Sequence, residues 1–252
     1  MPGTIMDNKL YGKTIVWDGD SICDGKGFDD TKESDAWAGR IAAKNNMTYK
    51  NYGKAGGTIT EKVLCSDGVR YKHSVSAKLD TIYAEYPNAD YIVFEGGTND
   101  SDLLGNIVRG DENTRFGVFD PNDYSGEYDR NTFSGALESI FYRATRYWPG
   151  KKIGYIVAHK MGEHNPIGYT ADVNNRRAYF ERAIAICKKW GIPYLDLWDG
   201  CYLNPKLPWM YDATKTWREN ISAGSFYADG QHLTAKGYDF TADIIDSWLK
   251  TL

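Results

Sequence analysis

The chain has 252 residues, 42% of them hydrophobic and 25% charged, a balance typical of a globular domain with a substantial core rather than of a disordered or fibrous protein. Its net charge is -4, with acidic and basic residues interspersed, so no basic stripe predicts binding to nucleic acid. No run is long and apolar enough to cross a bilayer, so no membrane partner is expected either.

The N-terminus and the cysteines bear on the cellular compartment. Residues 1–6 lack the charged and then apolar regions of a signal peptide, so the chain as written is expected in the cytoplasm. A secreted protein whose leader had been removed would look the same, and Met6 leaves the native start open. The cysteines form no C-x-x-C pair, which predicts reduced thiols and no zinc site. They are Cys23, Cys65, Cys187 and Cys201, with Cys187 expected in the core.

Strand and helix patterns alternate along the chain. The first half of the chain predicts a strand at 14–18, a helix to residue 45 capped by Ser34 or Asp35, a strand at 49–52, a helix at 74–86 and a strand at 91–94. The second half predicts a helix to residue 148 capped by Asn131 or Thr132, a strand at 152–158, a helix at 172–190, a strand at 193–197 and a helix at 234–252. The strand at 91–94 is apolar on both faces, as a central parallel strand should be.

Two stretches carry no regular pattern. Residues 101–130 are polar and rich in Gly and Asp, and a loop of this length is usually functional, so we interpret it as a rim or lid. Residues 202–226 are irregular and rich in Trp and Tyr. The aromatic side chains of both stretches can stack on sugar rings or simply pack within the protein.

The alternation predicts an α/β fold, a parallel sheet with helices on both sides, in a single domain covering residues 1–252. In such a sheet ligands bind beyond the carboxyl ends of the strands. The first strand breaks at a glycine and delivers Asp20 and Ser21, which is either ordinary turn chemistry or the presentation of a nucleophile. Ser21, Gly56 and Asn99 all follow predicted strands, so these three distant segments are expected to converge.

Four short motifs lie at these strand ends and before the last helix. They are Gly19-Asp20-Ser21, Asn51-Tyr52-Gly53-Lys54-Ala55-Gly56-Gly57-Thr58, Gly97-Thr98-Asn99-Asp100 and Asp229-Gly230-Gln231-His232-Leu233-Thr234. In this order and at these separations they resemble the SGNH (GDSL-type) hydrolase family over nearly the whole chain. The resemblance implies a flavodoxin-like three-layer α/β/α sandwich with about five mainly parallel strands, and an esterase, lipase or carbohydrate deacetylase activity.

Carried over residue by residue, the resemblance implies Ser21 as nucleophile, His232 as general base and then acid, and Asp229 as the group that orients His232. It also implies an oxyanion hole built from the backbone N–H groups of Ser21 and Gly56 and the side-chain amide of Asn99, and it requires no cofactor or metal.

Two details of this assignment stay open. We prefer Gly56 to Gly57 because the family glycine stands two positions before Thr58, and a local shift would exchange the two. The other histidines lie in no matching motif and are expected to be exposed or at the rim. They are His73, His159 and His164.

The expected function is hydrolysis of short-chain acyl esters, acetyl esters in particular, on a small molecule or a glycan. Oligomeric state and acyl chain length stay open. One alternative is a metal-dependent phosphoesterase, although the chain offers few ligands for the two metals such a site needs. Its ligands would be Asp18, Asp20, Asn99, Asp100 and His232. Another is a non-catalytic carbohydrate-binding protein on the same fold, which would be expected to lack Ser21 or His232.

Overall fold

Five parallel strands form the central sheet of the protein. The computed structural model describes residues 8–25, 36–61, 63–65, 68–70, 73–105, 116–162 and 173–252. The sheet consists of β1 (Thr14–Asp18), β2 (Thr48–Asn51), β5 (Tyr91–Glu95), β6 (Lys152–Val157) and β7 (Tyr194–Asp196), and an antiparallel pair, β3 (Val63–Cys65) and β4 (Gly68–Arg70), stands apart from it. The five strands predicted from sequence are confirmed, and no end differs by more than one residue.

The strand order places β1 and β5 side by side in the middle of the sheet. The order is β2-β1-β5-β6-β7, and Asp18 at the end of β1 is paired with Phe94 of β5. This is the flavodoxin-like order, in which the direction of winding reverses between these two neighbours and leaves a crevice beyond their carboxyl ends. Every residue of β5 is buried, because helices cover both faces of a parallel sheet.

The helices lie on both sides of the sheet. They are α1 (Ser21–Asp24), α2 (Trp37–Asn45), α3 (Val75–Glu85), α4 (Thr98–Gly105), α5 (Phe133–Tyr147), α6 (Val173–Trp190), α7 (Leu197–Gly200), α8 (Trp217–Ser222) and α9 (Ala235–Leu249). Helix α2 packs on α9, and α5 packs on both α3 and α6. Between α2 and α9 the Trp37 indole donates to Thr241 Oγ1 at 2.7 Å and meets the Tyr238 ring edge-on. The predicted three-layer α/β/α class is therefore confirmed.

Side chains cap several of these helices. Thr132 accepts from the N–H of Gly135 before α5, and Thr234 accepts from the N–H of Gly237 before α9. Thr132, rather than Asn131, is thus the cap of α5. At α2 the N-cap is Ala36, which makes no side-chain cap bond. The predicted caps Ser34 and Asp35 lie outside the described residues.

Several elements differ from the sequence prediction, among them the short helices α1 and α7, which were not predicted. Residues 101–105 were expected in a loop, but they continue α4, and contact with α6 stabilises this helix despite its weak sequence propensity. Residues 217–222 of the expected irregular stretch form α8. Its capping box, Thr216 with Glu219, is a sequence signal that could have revealed the helix. The hairpin of β3 and β4 was not predicted.

The segment 116–130 is held against α5 and α6 by the buried Lys189. The Lys189 ammonium lies 2.9 Å from both carboxylate oxygens of Glu138, and it donates to the backbone C=O of Asp120 at 2.8 Å. The side chains of Lys189 and Glu138 are 2% and 3% exposed. Four aromatic rings surround the ammonium at 4.9–5.8 Å, and three of them belong to the segment. They are Phe119, Tyr124, Tyr128 and Trp190. Phe119, Tyr128 and Trp190 are therefore partly buried around this ammonium, whereas Tyr124 remains 55% exposed.

The described cysteine side chains are buried free thiols, and Cys187 is fully buried as expected. They are Cys23, Cys187 and Cys201. Within the described ranges, none of the helices combines the length and apolar character needed to span a membrane.

Candidate functional site

Ser21 lies where β1 gives way to the short helix α1, at the carboxyl edge of the sheet. Asp20 is the N-cap of α1, and its Oδ1 accepts from the N–H of Ile22 at 2.8 Å. Gly19 precedes it, and a Cβ at this position would lie 2.7 Å from both Cys23 Cβ and Glu95 Oε2. Only glycine therefore lets the chain turn this closely over the end of β5. Ser21 itself is 6% exposed.

His232 reaches Ser21 from the other end of the chain. Its Nε2 lies 3.0 Å from Ser21 Oγ, and its Nδ1 lies 2.8 Å from Asp229 Oδ2. The other carboxylate oxygen of Asp229 accepts from the backbone N–H groups of Gln231 and His232 at 2.9 and 2.7 Å. Gly230 has a positive φ of 82°, which makes this turn tight enough for Asp229 to hydrogen-bond both the backbone and the imidazole ring.

Asp229 and His232 each stabilise the charged form of the other. Burial alone lowers the pKa of His232, but the hydrogen bond and charge of Asp229, with the charge of Asp20, raise it by more, so its pKa lies above the ordinary 6.5. Burial alone raises the pKa of Asp229, but the bonds from His232 and the backbone lower it by more, so it lies below its ordinary value. Asp229 is therefore ionised at neutral pH, and it favours the tautomer that carries the proton on Nδ1 and a lone pair on Nε2.

Backbone and side-chain N–H groups line the same edge. Gly57 donates its N–H to the C=O of Lys54 at 2.8 Å, whereas the N–H groups of Ser21 and Gly56 have no acceptor among the described residues. Gly56 has a positive φ of 74°. Asn99 is the second residue of α4, and its side-chain amide donates to the C=O of Gly57 at 2.8 Å. All five residues expected at the site are thus on segments that meet at the carboxyl ends of β1, β2 and β5.

His159 differs from the sequence expectation. It was expected to be exposed or at the rim, but it is fully buried after β6, and its Nε2 lies 2.9 Å from the C=O of Gln231. Because a carbonyl only accepts, Nε2 carries the proton, and burial lowers the pKa of this ring to about 4. A lone histidine after an apolar strand gives no sequence signal that separates burial from exposure. His73 is exposed as expected, and His164 lies outside the described residues.

Both the backbone and the side chain of Gln231 are fixed by hydrogen bonds. His159 binds its backbone C=O, and the buried Arg176 of α6 donates to its side-chain oxygen at 3.0 Å. Gln231 lies between Asp229 and His232, so these contacts fix the turn that carries both. Sequence reasoning missed His159, Arg176 and Gln231 as supports of this turn because their partners are far away in the chain.

The carboxylates proposed for a two-metal site are engaged elsewhere. Asp18 Oδ1 accepts from Lys78, and the Asp100 oxygens accept from the backbone N–H groups of Ile59 and Thr60. Across the ranges that the structure describes, no three His, Cys, Asp or Glu side chains are grouped so as to hold a metal ion.

Solved structures with similar folds cover almost the whole chain. A protein from Lactobacillus plantarum is 21% identical, with a TM-score of 0.66, over 96% of this chain and 98% of its own. A lipase/acylhydrolase from Enterococcus faecalis is 16% identical, with a TM-score of 0.58, over 95% of this chain and 96% of its own. A carbohydrate acetylesterase family member from Sinorhizobium meliloti is 15% identical, with a TM-score of 0.59, over 95% and 98%. At these identities the likeness shows the fold.

No curated protein matches the chain. The family model described as the GDSL-like lipase/acylhydrolase family matches residues 19–240, from the glycine before Asp20 and Ser21 to well inside α9. That span includes every residue of the site described above. The chain belongs to the GDSL-like lipase/acylhydrolase family.

Proposed function

We propose that the protein is a serine esterase that hydrolyses short-chain acyl esters through an acyl-enzyme, with residues 1–252 forming one hydrolase domain. The observation that carries the proposal is the continuous chain of contacts from Ser21 Oγ through the imidazole of His232 to Asp229, at 3.0 and 2.8 Å. Nucleophile, base and orienting carboxylate at hydrogen-bond distances are the arrangement that activates a serine hydroxyl.

In the first half-reaction Ser21 Oγ attacks the ester carbonyl carbon while its proton passes to His232 Nε2. The carbonyl π electrons move to the oxygen, which becomes the oxyanion of a tetrahedral intermediate. When the intermediate collapses, the C–O bond to the alcohol breaks and His232 returns the proton to the departing alcohol. Ser21 then carries the acyl group. In the second half-reaction, water takes the place of the alcohol, the acid is released and Ser21 regains its proton.

The oxyanion would be stabilised by the N–H groups of Ser21 and Gly56 and the amide of Asn99. Gly56 is favoured over Gly57 because Gly57 already donates its N–H to Lys54, while Gly56 has no acceptor among the described residues. The bond from Asn99 to the Gly57 C=O supports the same assignment, since it fixes the orientation of the amide and leaves its second N–H for the oxyanion.

We further propose acetyl esters, carried on a carbohydrate, as the substrate class. Two similar folds have related activities in their names, the carbohydrate acetylesterase family member from Sinorhizobium meliloti and an acetyl xylan esterase. In this chain Tyr202 and Trp209 are 64% and 67% exposed, and exposed aromatic rings of this kind can stack on sugars.

The test is covalent labelling followed by a chain-length series. A fluorophosphonate probe should label Ser21 in the folded protein, and Ser21→Ala should abolish both labelling and ester hydrolysis while the circular dichroism spectrum stays unchanged. Activity on p-nitrophenyl acetate should exceed activity on the octanoate ester. Labelling at another serine would refute the assigned nucleophile, and preference for the octanoate would refute the short-chain substrate while leaving the mechanism intact.

A further inference from the structure

Two buried carboxyl groups lie beneath the turn that presents Ser21. Asp20 follows β1 and Glu95 ends the neighbouring strand β5, and they are 0% and 1% exposed. The N–H of Asp20 donates to Glu95 Oε2 at 3.2 Å. Gly19 allows this approach, since any Cβ there would meet the same carboxyl oxygen at 2.7 Å. Neither carboxyl belongs to the triad formed by Ser21, His232 and Asp229.

The contacts of this pair favour a proton on one of the two groups. Glu95 Oε2 accepts from the Asp20 N–H, whereas Asp20 Oδ2 and Glu95 Oε1 are buried without a hydrogen-bond partner among the described residues. Two ionised carboxylates would place two negative charges side by side with neither of these oxygens bound to a donor, and a proton on one group removes that cost.

The surroundings of the two groups favour Glu95 as the one that carries the proton. Burial and the charge of Asp20 raise the pKa of Glu95 well above its ordinary value. Burial also raises the pKa of Asp20, but only to about 6, because the N–H of Ile22 and the charge of His232 favour its ionised form. At neutral pH we therefore expect a carboxylic acid at Glu95 beside a carboxylate at Asp20.

The pair determines which backbone N–H of the turn remains available. The N–H of Asp20 donates to Glu95, and the N–H of Ile22 donates to Asp20, at 3.2 and 2.8 Å. The Ser21 N–H lies between these two and has no acceptor among the described residues. We propose that Asp20 and a protonated Glu95 act as positioning residues that hold the two flanking amides and so direct the N–H of Ser21 at the reacting carbonyl oxygen. This inference rests on the proposed function, because an oxyanion must form beside Ser21.

Other titratable groups face the pair and must be separated from it in any test. They are Asp18, Cys23, Asp100, Tyr155, His232 and Tyr238. Asp100 is held by two backbone N–H groups, and Asp18 is paired with Lys78. Asp18 is the best control, because it is buried at the end of the same strand β1 and its pKa is also raised, to about 7, but it contacts neither flanking amide.

The decisive variants are Glu95→Gln and Glu95→Leu. Glutamine keeps a donor toward Asp20 and an acceptor for the Asp20 N–H, so kcat/KM for p-nitrophenyl acetate near neutral pH should fall by at most about fivefold, the size of one altered neutral hydrogen bond. Leucine keeps neither, so kcat should fall on the order of a hundredfold, as when an oxyanion donor is lost, with KM little changed. Equal losses in the two variants would mean that Glu95 acts as a carboxylate, and would overturn the proposal.

The pH profile separates positioning from a merely structural role. In the wild type kcat/KM should decline at alkaline pH, where Glu95 loses its proton and a second negative charge appears beside the developing oxyanion. This decline should be absent in Glu95→Gln and retained in Asp18→Asn. If Asp18→Asn removes the decline, or Glu95→Gln retains it, the proposal fails.

A measurement without substrate distinguishes this inference from the proposed function. In protein labelled with 13C at glutamate carboxyl carbons, the Glu95 resonance, assigned from its loss in Glu95→Gln, should have the chemical shift of a carboxylic acid at pH 7. An ionised Glu95 in an enzyme that hydrolyses esters would overturn the inference alone. A protonated Glu95 in a protein that fluorophosphonate does not label at Ser21 would leave the pair intact and overturn the proposed function.

Discussion

Asp229 divides its two oxygens between the ring and the backbone of the same turn. One oxygen binds His232 Nδ1 and the other binds two N–H groups, so the carboxylate fixes both where the ring sits and which nitrogen carries its proton. Its charge also raises the pKa of His232. The imidazole can accept the Ser21 proton only when neutral, so hydrolysis should rise with pH through a value above 6.5.

Asp229→Asn should separate these effects. Loss of the orienting charge should lower kcat on the order of 10⁴-fold, because the imidazole then adopts the wrong tautomer. The acid limb of the remaining kcat/KM profile should shift to lower pH, since removing a negative neighbour lowers the pKa of His232. A pH series on p-nitrophenyl acetate checks both. An acid limb that stays in place or moves upward would show that Asp229 does not govern the charge of His232.

At this scale the sequence predicted the residues that stand in short motifs and missed those that act through distant partners. Ser21, Asp229 and His232 could be chosen because each is part of a local pattern. Glu95 ends an apolar strand, and nothing in the strand itself reveals that its carboxyl group meets Asp20, 75 residues away. The burial of His159 was not predicted for the same reason, since the Gln231 carbonyl that its ring contacts is distant in sequence.

At the scale of elements, the Lys189 contacts change the interpretation of residues 116–130. A polar stretch rich in Gly and Asp suggests a lid, but the described part is tied to α5 and α6 through a buried ion pair and aromatic rings. Trp190 adds a second donor, since its indole N–H lies 2.6 Å from Glu138 Oε2. At these contacts the segment is therefore fixed to the helical layer.

Lys189→Met should destabilise the protein by about 3–5 kcal/mol, because it leaves the Glu138 carboxylate buried without its partner. The free energy of unfolding from urea titrations measures this. Lys188→Met is the matched control, since Lys188 is the exposed neighbour on the same helix and should have little effect. The double variant Lys189→Met with Glu138→Leu should recover much of the loss. Equal stability of Lys189→Met and the wild type would refute the buried ion pair.

Elements were predicted where their own residues carry the pattern. Strands β1, β5 and β6 are short apolar runs bounded by turn residues, and α5 and α9 combine a capping threonine with a periodic apolar face. The pair β3 and β4 and the helix α4 lack such patterns. Their formation depends on contacts with other parts of the chain, including those between α4 and α6.

At the scale of the whole molecule, four buried carboxyl groups with raised pKa values lie at the carboxyl edge of the sheet. They are Asp18, Asp20, Glu95 and Asp100. In each case burial is the largest cause. A group whose pKa is raised on folding stabilises the folded protein below its unfolded pKa, and this contribution is lost as pH rises through the folded pKa.

The free energy of unfolding should therefore include a term that decreases between pH 3.8 and about 7, the ordinary and folded values for Asp18. Each such group contributes up to about 1.4 kcal/mol per pH unit within its window. Relative to the wild type, Asp18→Asn should gain a few kcal/mol between about pH 4 and about pH 7, because asparagine does not ionise. Urea titrations across that range measure the difference. A difference independent of pH would show that Asp18 ionises normally in the folded protein.

Because Ser21 and His232 are separated by 211 positions in the sequence, ester hydrolysis reports complete folding of the chain. The nucleophile and the imidazole come from opposite ends of the polypeptide, so neither a folded N-terminal half nor a folded C-terminal half holds both. Contacts this distant in sequence form late, because their loop-closure entropy must be offset by structure already in place. During refolding from urea, tryptophan fluorescence should recover first, and the capacity to release p-nitrophenol should return only in the slowest phase.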